Sequence, residues 1–170
     1  LLPFAEPERG AADGAGHLDK PSLSDVLKLF RLPDYLLVVG GYVAYTFALG
    51  AFALWGPTFL NRVHSLPEED AAKFFGAVLV VAGLLGTFIG GFAATCWHKR
   101  NRAAYAWVLG LSVLISVPCT IGAFLAPAKG TSMVCLAAAM FLLFLGTGPV
   151  NTLILETVPA NLRASAMALS

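Results

Sequence analysis

The sequence predicts an all-α protein whose helices cross a membrane several times, and three observations predict it. Hydrophobic residues make up 58% of the chain and charged residues only 12%, with a mean hydropathy of +0.77. Soluble domains carry about one-quarter charged residues. Four apolar runs of about 24 residues follow one another, each longer than the roughly 20 needed to cross a hydrocarbon core. None alternates strictly between polar and apolar residues, so helices rather than barrel strands satisfy the backbone in lipid.

Residues 1–20 are rich in Ala, Gly, Pro and acidic residues. Such a stretch buries too little apolar surface to offset its ordering entropy, and a disordered linker is expected there. A short amphipathic helix is expected over 21–33. Ser22 and Asp25 have capping-box spacing, and Leu23, Val26, Leu27 and Phe30 follow at helical intervals. With Lys28 and Arg31 beside that stripe the segment suits a membrane surface, or equally a short packing helix.

The transmembrane domain is expected over 34–170. Its first span, 35–60, is rich in glycine and aromatics, and Gly56-Pro57 is expected to kink or end it. In the following loop, Glu68, Glu69 and Asp70 suit a helix N-terminus, where the macrodipole favours negative charge. The second span, 74–97, contains Gly86-x-x-x-Gly90, a spacing that lets two membrane helices approach closely. It ends in the densest basic cluster of the chain, His98 to Arg102. The third span, 103–126, has few polar side chains beyond Ser112, Ser116 and Thr120, and reads as a lipid-facing scaffold with a kink at Pro118. The fourth span, 132–158, carries Gly146, Gly148, Pro149 and Asn151, and a fifth starts at 164.

Lysine and arginine fall unevenly on alternate sides of these spans. Arg9, Lys20, Lys28, Arg31, Lys99, Arg100, Arg102 and Arg163 lie on one side, against Arg62, Lys73 and Lys129 on the other. The positive-inside rule puts the linker and the 98–102 loop in the cytoplasm. Leu1 is not a methionine and the helix from 164 is unfinished, so a piece of a longer multi-pass protein is expected.

Several chemistries find no support. No Ser/His/Asp set, carboxylate pair or phosphate loop occurs in the polar segments, so no enzyme, no catalytic residue and no cofactor is expected. Cys96, Cys119 and Cys135 lack metal-like spacing, and His17, His64 and His98 have no second ligand at helical spacing, so no metal site is expected. No basic stripe with interleaved aromatics suggests nucleic acid.

The run from Gly146 to Ser170, with Glu156 and Arg163 about Pro159, resembles the E-x6-R element between the tenth and eleventh helices of major facilitator superfamily transporters. GGFAATCWHKRNR, residues 90–102, is similar to that superfamily's repeated loop motif, with Ala94 or Thr95 where an acidic residue is usual. More narrowly, GGYVAYTFALGAFALWGPTFL (40–60), HKRNR (98–102) and GPVNTLILETVPANLRASAMAL (148–169) resemble the Spinster family of proton-linked lysolipid and sphingolipid transporters.

The resemblance implies the C-terminal half of a major facilitator fold, covering 21–170. It also implies a missing six-helix N-terminal half as partner, alternating access, a small amphipathic lipid-like substrate, membrane lipids as surroundings and proton coupling through the absent half. The expected location is a bacterial inner membrane.

A substrate site near the midplane of such a transporter nominates Tyr42, Tyr45, Thr46 and Trp55 on the first span and Thr147 and Asn151 on the fourth. Packing, and for Asn151 an interhelical hydrogen bond, are the competing readings. Glu156 with Arg100, Arg102 or Arg163 forms the candidate cytoplasmic gate, or else a permanent ion pair. Within transporters the alternative is a sugar or drug carrier; from another class, a truncated or stand-alone membrane subunit without transport of its own.

Overall fold

The computed structural model describes residues 22–170, and the expected linker, 1–20, lies outside them. Every regular element among the described residues is helical. α1 (Leu23–Lys28) runs into a 3-10 turn (Leu29–Arg31). Then come α2 (Pro33–His64), α3 (Glu68–His98), α4 (Ala104–Leu125), α5 (Lys129–Leu145), α6 (Thr147–Glu156), a second 3-10 turn (Ala160–Leu162) and α7 (Arg163–Leu169).

Four stretches are long and apolar enough to cross a membrane: α2, α3, α4, and α5 with α6 taken together as Lys129–Glu156. Their outward surfaces are strongly apolar. Phe47, Phe88, Leu37 and Leu125 are each more than three-quarters exposed, an arrangement water would penalise and hydrocarbon does not.

α3 begins at Glu68, six residues before the expected 74, and two other spans differ from expectation at their prolines. α2 neither ends nor breaks at Gly56-Pro57 but continues through Pro57 to His64. Proline removes one N–H, which a membrane helix tolerates when neighbours pack against it. Gly56 is such a packing point, because the Phe75 ring occupies the space where its Cβ would stand. The fourth span is not continuous: it is interrupted at Gly146 and resumes at Thr147. Pro149 accounts for the interruption. It has no N–H to give the Leu145 carbonyl four residues back, and its ring crowds that carbonyl.

The chain divides into two compact units, residues 22–40 with 154–170 and residues Gly41–Leu153. In the first, Leu29 and Tyr35 are almost fully buried, and the Tyr35 hydroxyl donates to the Ala166 carbonyl at 3.0 Å.

In the second unit a core forms from Leu60, Leu66, Ala71, Phe75, Ala123 and Leu136, with Phe52, Phe59 and Phe74 packed against it. The connection from α2 to α3 turns at Ser65, whose φ of 52° lies in the left-handed region. There the Leu66 N–H returns to the Leu60 carbonyl at 3.2 Å, and the Asn61 amide donates to the Leu66 carbonyl at 2.7 Å. α3 then opens on Glu68, Glu69 and Asp70, the residues expected at a helix N-terminus.

α4 continues through Pro118 and is only in part the lipid-facing scaffold expected. Leu114 and Ile115 face outward, while Ser112, Ser116, Tyr105 and Ala123 are buried. The Ser112 and Ser116 hydroxyls donate to carbonyls of their own helix, so this face packs without demanding polar partners. Between α4 and α5, Ser132 donates to the Ala123 carbonyl at 2.8 Å.

Candidate functional site

α3 meets the fourth span along a seam of glycines. A methyl group added at Gly86 would lie 2.8 Å from the Phe144 Cβ, and one at Gly90 would fall on the Leu145 carbonyl. One at Gly148 would lie 3.2 Å from the Gly91 Cα. Only residues without a Cβ allow this approach, which is the close packing predicted for Gly86-x-x-x-Gly90. Gly146, at the interruption, is enclosed by Leu109 and Ser112 of α4.

α2 reaches the same interruption with a polar group. Tyr45 is 8% exposed. Its hydroxyl lies 2.6 Å from the Leu143 carbonyl and 2.8 Å from the Thr147 Oγ1. A carbonyl cannot donate, so the single phenolic proton goes to Leu143 and the Thr147 hydroxyl donates to Tyr45. The α-helical partner of the Leu143 carbonyl would be the Thr147 N–H. With the helix interrupted, that carbonyl instead accepts from the Gly146 N–H at 3.0 Å and from Tyr45. Tyr45 thus gives the Leu143 carbonyl a second donor at the interruption.

The remaining candidates occupy distinct places. Tyr42 stacks on Tyr45, ring centroids 6.3 Å apart. Thr46 is exposed and donates to the Tyr42 carbonyl of its own helix at 2.8 Å, so it does not join the junction. Asn151 lies one turn beyond Thr147, is half-buried, and has no side-chain hydrogen bond among the described residues. Its amide therefore has two donors and an acceptor to offer.

Trp55 lies ten residues along α2 from Tyr45, about 15 Å at helical rise. It lines an apolar groove of about 380 Å³ with Phe47, Phe52, Phe59, Thr120 and Phe124. Thr120 brings no polarity to this groove, since its hydroxyl donates to the Ser116 carbonyl.

Of the gate candidates, Glu156 is exposed at the last position of α6, and Arg163 is half-buried at the first of α7. Arg100 and Arg102 are exposed in the connection between α3 and α4, which the Asn101 side chain shapes by accepting from the Ala103 N–H at 2.9 Å.

The sequence reading missed the Leu143 carbonyl. It also missed the Gly146 interruption that makes this carbonyl available. The signal was present in Gly146, Gly148 and Pro149, which were read as ordinary constituents of a continuous membrane helix.

Four apolar spans, a glycine seam and a polar junction at an interrupted helix are the features of a multi-pass membrane domain. A family model described as "Organic Anion Transporter Polypeptide (OATP) family" matches residues 19–132. The chain belongs to this family, and it is Spinster-like, within the major facilitator transporters.

Its relatives include "Probable sphingolipid transporter spinster homolog 2" of Arabidopsis thaliana, 34% identical over 136 residues, covering 80% of this chain and 28% of the relative. "Protein spinster homolog 3" of Danio rerio is 30% identical over 188 aligned residues, covering 99% of this chain and 36% of the relative. A sphingosine-1-phosphate transporter of Danio rerio is 27% identical over 184 aligned residues, with coverage of 99% and 36%. The chain thus spans roughly a quarter to a third of the length of these relatives. No solved structure is a significant match.

Proposed function

We propose that the chain contributes to a membrane transporter that moves a small amphipathic, lipid-like molecule by alternating access. The observation that carries this reading is Asn151. A carboxamide inside a membrane-crossing helix, without a side-chain partner among the described residues, calls for a polar group from elsewhere or a wet cavity. A substrate's polar group meets that demand, while the aromatic groove about Trp55 suits an apolar tail. The printed names of the relatives, sphingolipid and sphingosine-1-phosphate transporters, support the same substrate class.

In this reading a second six-helix half completes the cavity and supplies the proton-coupling carboxylates. The basic 98–102 loop faces the cytoplasm. Glu156 pairs with Arg100, Arg102 or Arg163 in one state and releases it in the other. The bacterial inner membrane rests on the sequence reading alone, whereas the relatives named above come from a plant and a fish.

The test is transport by the native protein in proteoliposomes, with lysolipids and sugars compared as cargo. Lysolipid uptake is expected, and Asn151→Leu is expected to lower it at least tenfold while the protein stays folded. Sugar uptake without lysolipid uptake would point to a carrier of another class, and transport of neither to a membrane subunit. Glu156→Gln is expected to shift the inward/outward ratio; an unchanged ratio and rate would remove the latch.

A further inference from the structure

We infer that residues 23–31 form a membrane-surface anchor, with Leu27 and Phe30 set into the lipid interface and Arg31 against anionic headgroups. This inference does not depend on the transport reading. It begins from connectivity: the 3-10 turn ends at Arg31, and α2, a membrane-crossing helix, begins at Pro33. A segment tied that closely to a span lies at the boundary between water and hydrocarbon.

Its side chains divide accordingly. Leu29 is fully buried and holds the segment in place, while Leu27 is 61% and Phe30 53% exposed. Two large apolar side chains facing outward would be an unfavourable surface in water. At a lipid interface they are the apolar face of an amphipathic anchor.

The charges complete the arrangement. The Asp25 carboxylate accepts from the Ser22 N–H at 3.2 Å and from the Lys28 ammonium at 2.6 Å, so the Lys28 charge is largely compensated within α1. The Arg31 side chain is exposed and makes no ion pair or hydrogen bond among the described residues, not even with Asp34 three positions on. A guanidinium at that height is suited to bidentate recognition of a lipid phosphate.

The experiment places a nitroxide label at 24, 27, 29 or 30, one position at a time, in the full chain with Cys96, Cys119 and Cys135 replaced by alanine. Each variant is checked for helical content and reconstituted in phosphatidylcholine vesicles with or without phosphatidylglycerol. Collision with oxygen, which partitions into lipid, is compared with collision with a water-soluble nickel chelate. Labels at 27 and 30 are expected to favour oxygen several-fold over the exposed position 24, and a label at 29 to be protected from both. Phosphatidylglycerol is expected to increase the preference at 27 and 30, and Arg31→Gln to abolish that increase. Nickel access at 27 and 30 equal to that at 24 would mean a solvated face, and protection there from both reagents would mean a protein cover. Either result overturns the anchor, and an anionic-lipid response that survives Arg31→Gln overturns the headgroup contact.

Discussion

The C-terminal end of α5 touches two neighbours within three residues, and it does so in opposite ways. Toward α3 it presents the Phe144 Cβ to Gly86 and the Leu145 backbone to Gly90, at a distance that leaves no room for a further side chain. Toward α2 it presents the Leu143 carbonyl to a tyrosine hydroxyl. The first contact is dry and cannot be loosened gradually, because dispersion falls away over fractions of an ångström. The second is a hydrogen bond whose donor and acceptor can change partners. In membranes, where helix association draws little on the hydrophobic effect, small residues make rigid joints and polar residues make exchangeable ones. An interrupted helix needs both, one to hold its position and one to satisfy the backbone it exposes.

The sharpest way to break this contrast is at Gly90. Gly90→Ala puts a methyl group on the Leu145 backbone, which no side-chain rotation can relieve. A loss of about 3 kcal/mol in stability is expected, at the upper end of the range for overpacking, measured by reversible unfolding in mixed micelles. A cost near zero would mean that α3 and the fourth span are free to separate, and the seam would not be rigid.

Tyr45→Phe removes only the hydroxyl and should cost about 1 kcal/mol, typical of an interhelical hydrogen bond in a membrane protein. Its effect on Thr147 distinguishes it from a packing change. In the chain described here Thr147→Val should cost much less in the Tyr45→Phe background than in the wild type, since both side chains belong to one network. Additive losses would show that the junction is not a unit.

Ser65→Gly tests a site outside both contacts. Ser65 adopts a left-handed backbone conformation that favours glycine. The substitution is expected to stabilise the chain by up to about 1 kcal/mol, with the seam and the junction unchanged.

The smallest expected effect separates the charged N-terminal segment from the uncharged joints. The Lys28 ammonium, with help from the Ser22 N–H, holds the Asp25 carboxyl below its ordinary value. A carboxyl depressed in the folded state adds stability above its unfolded value, and this is lost as pH falls through the folded one, so α1 should loosen only below about pH 4. Neither the glycine seam nor the Tyr45 junction contains a carboxylate. Amide exchange across that pH range should therefore rise in 23–31 and not at α5.

Legibility varied with the range of the physics involved. The apolar runs announced the helices because crossing hydrocarbon is a requirement on composition and length. The Gly86–Gly90 spacing announced a close approach, and the three acids at 68–70 announced a helix start, because both depend on neighbours within one turn. Pro57, expected to kink or end α2, does not end it. Its local preference is to break a helix, and the Phe75 ring against Gly56 is a partner from another helix that no local pattern reveals. Tyr45 and Thr147 were nominated separately as polar groups in apolar runs. That they bond to each other across 102 positions was not readable from either run.

What the sequence by itself determined was therefore the class of protein, the membrane helices in order and the residue types able to carry polarity or close contact. These follow from solvent and backbone requirements that act along the chain. Tertiary structure alone decided that α2 would run through its proline and that Tyr45 would meet the carbonyl of Leu143. Each of these is a compensation between groups distant in sequence, and its energy exists only once the helices have packed.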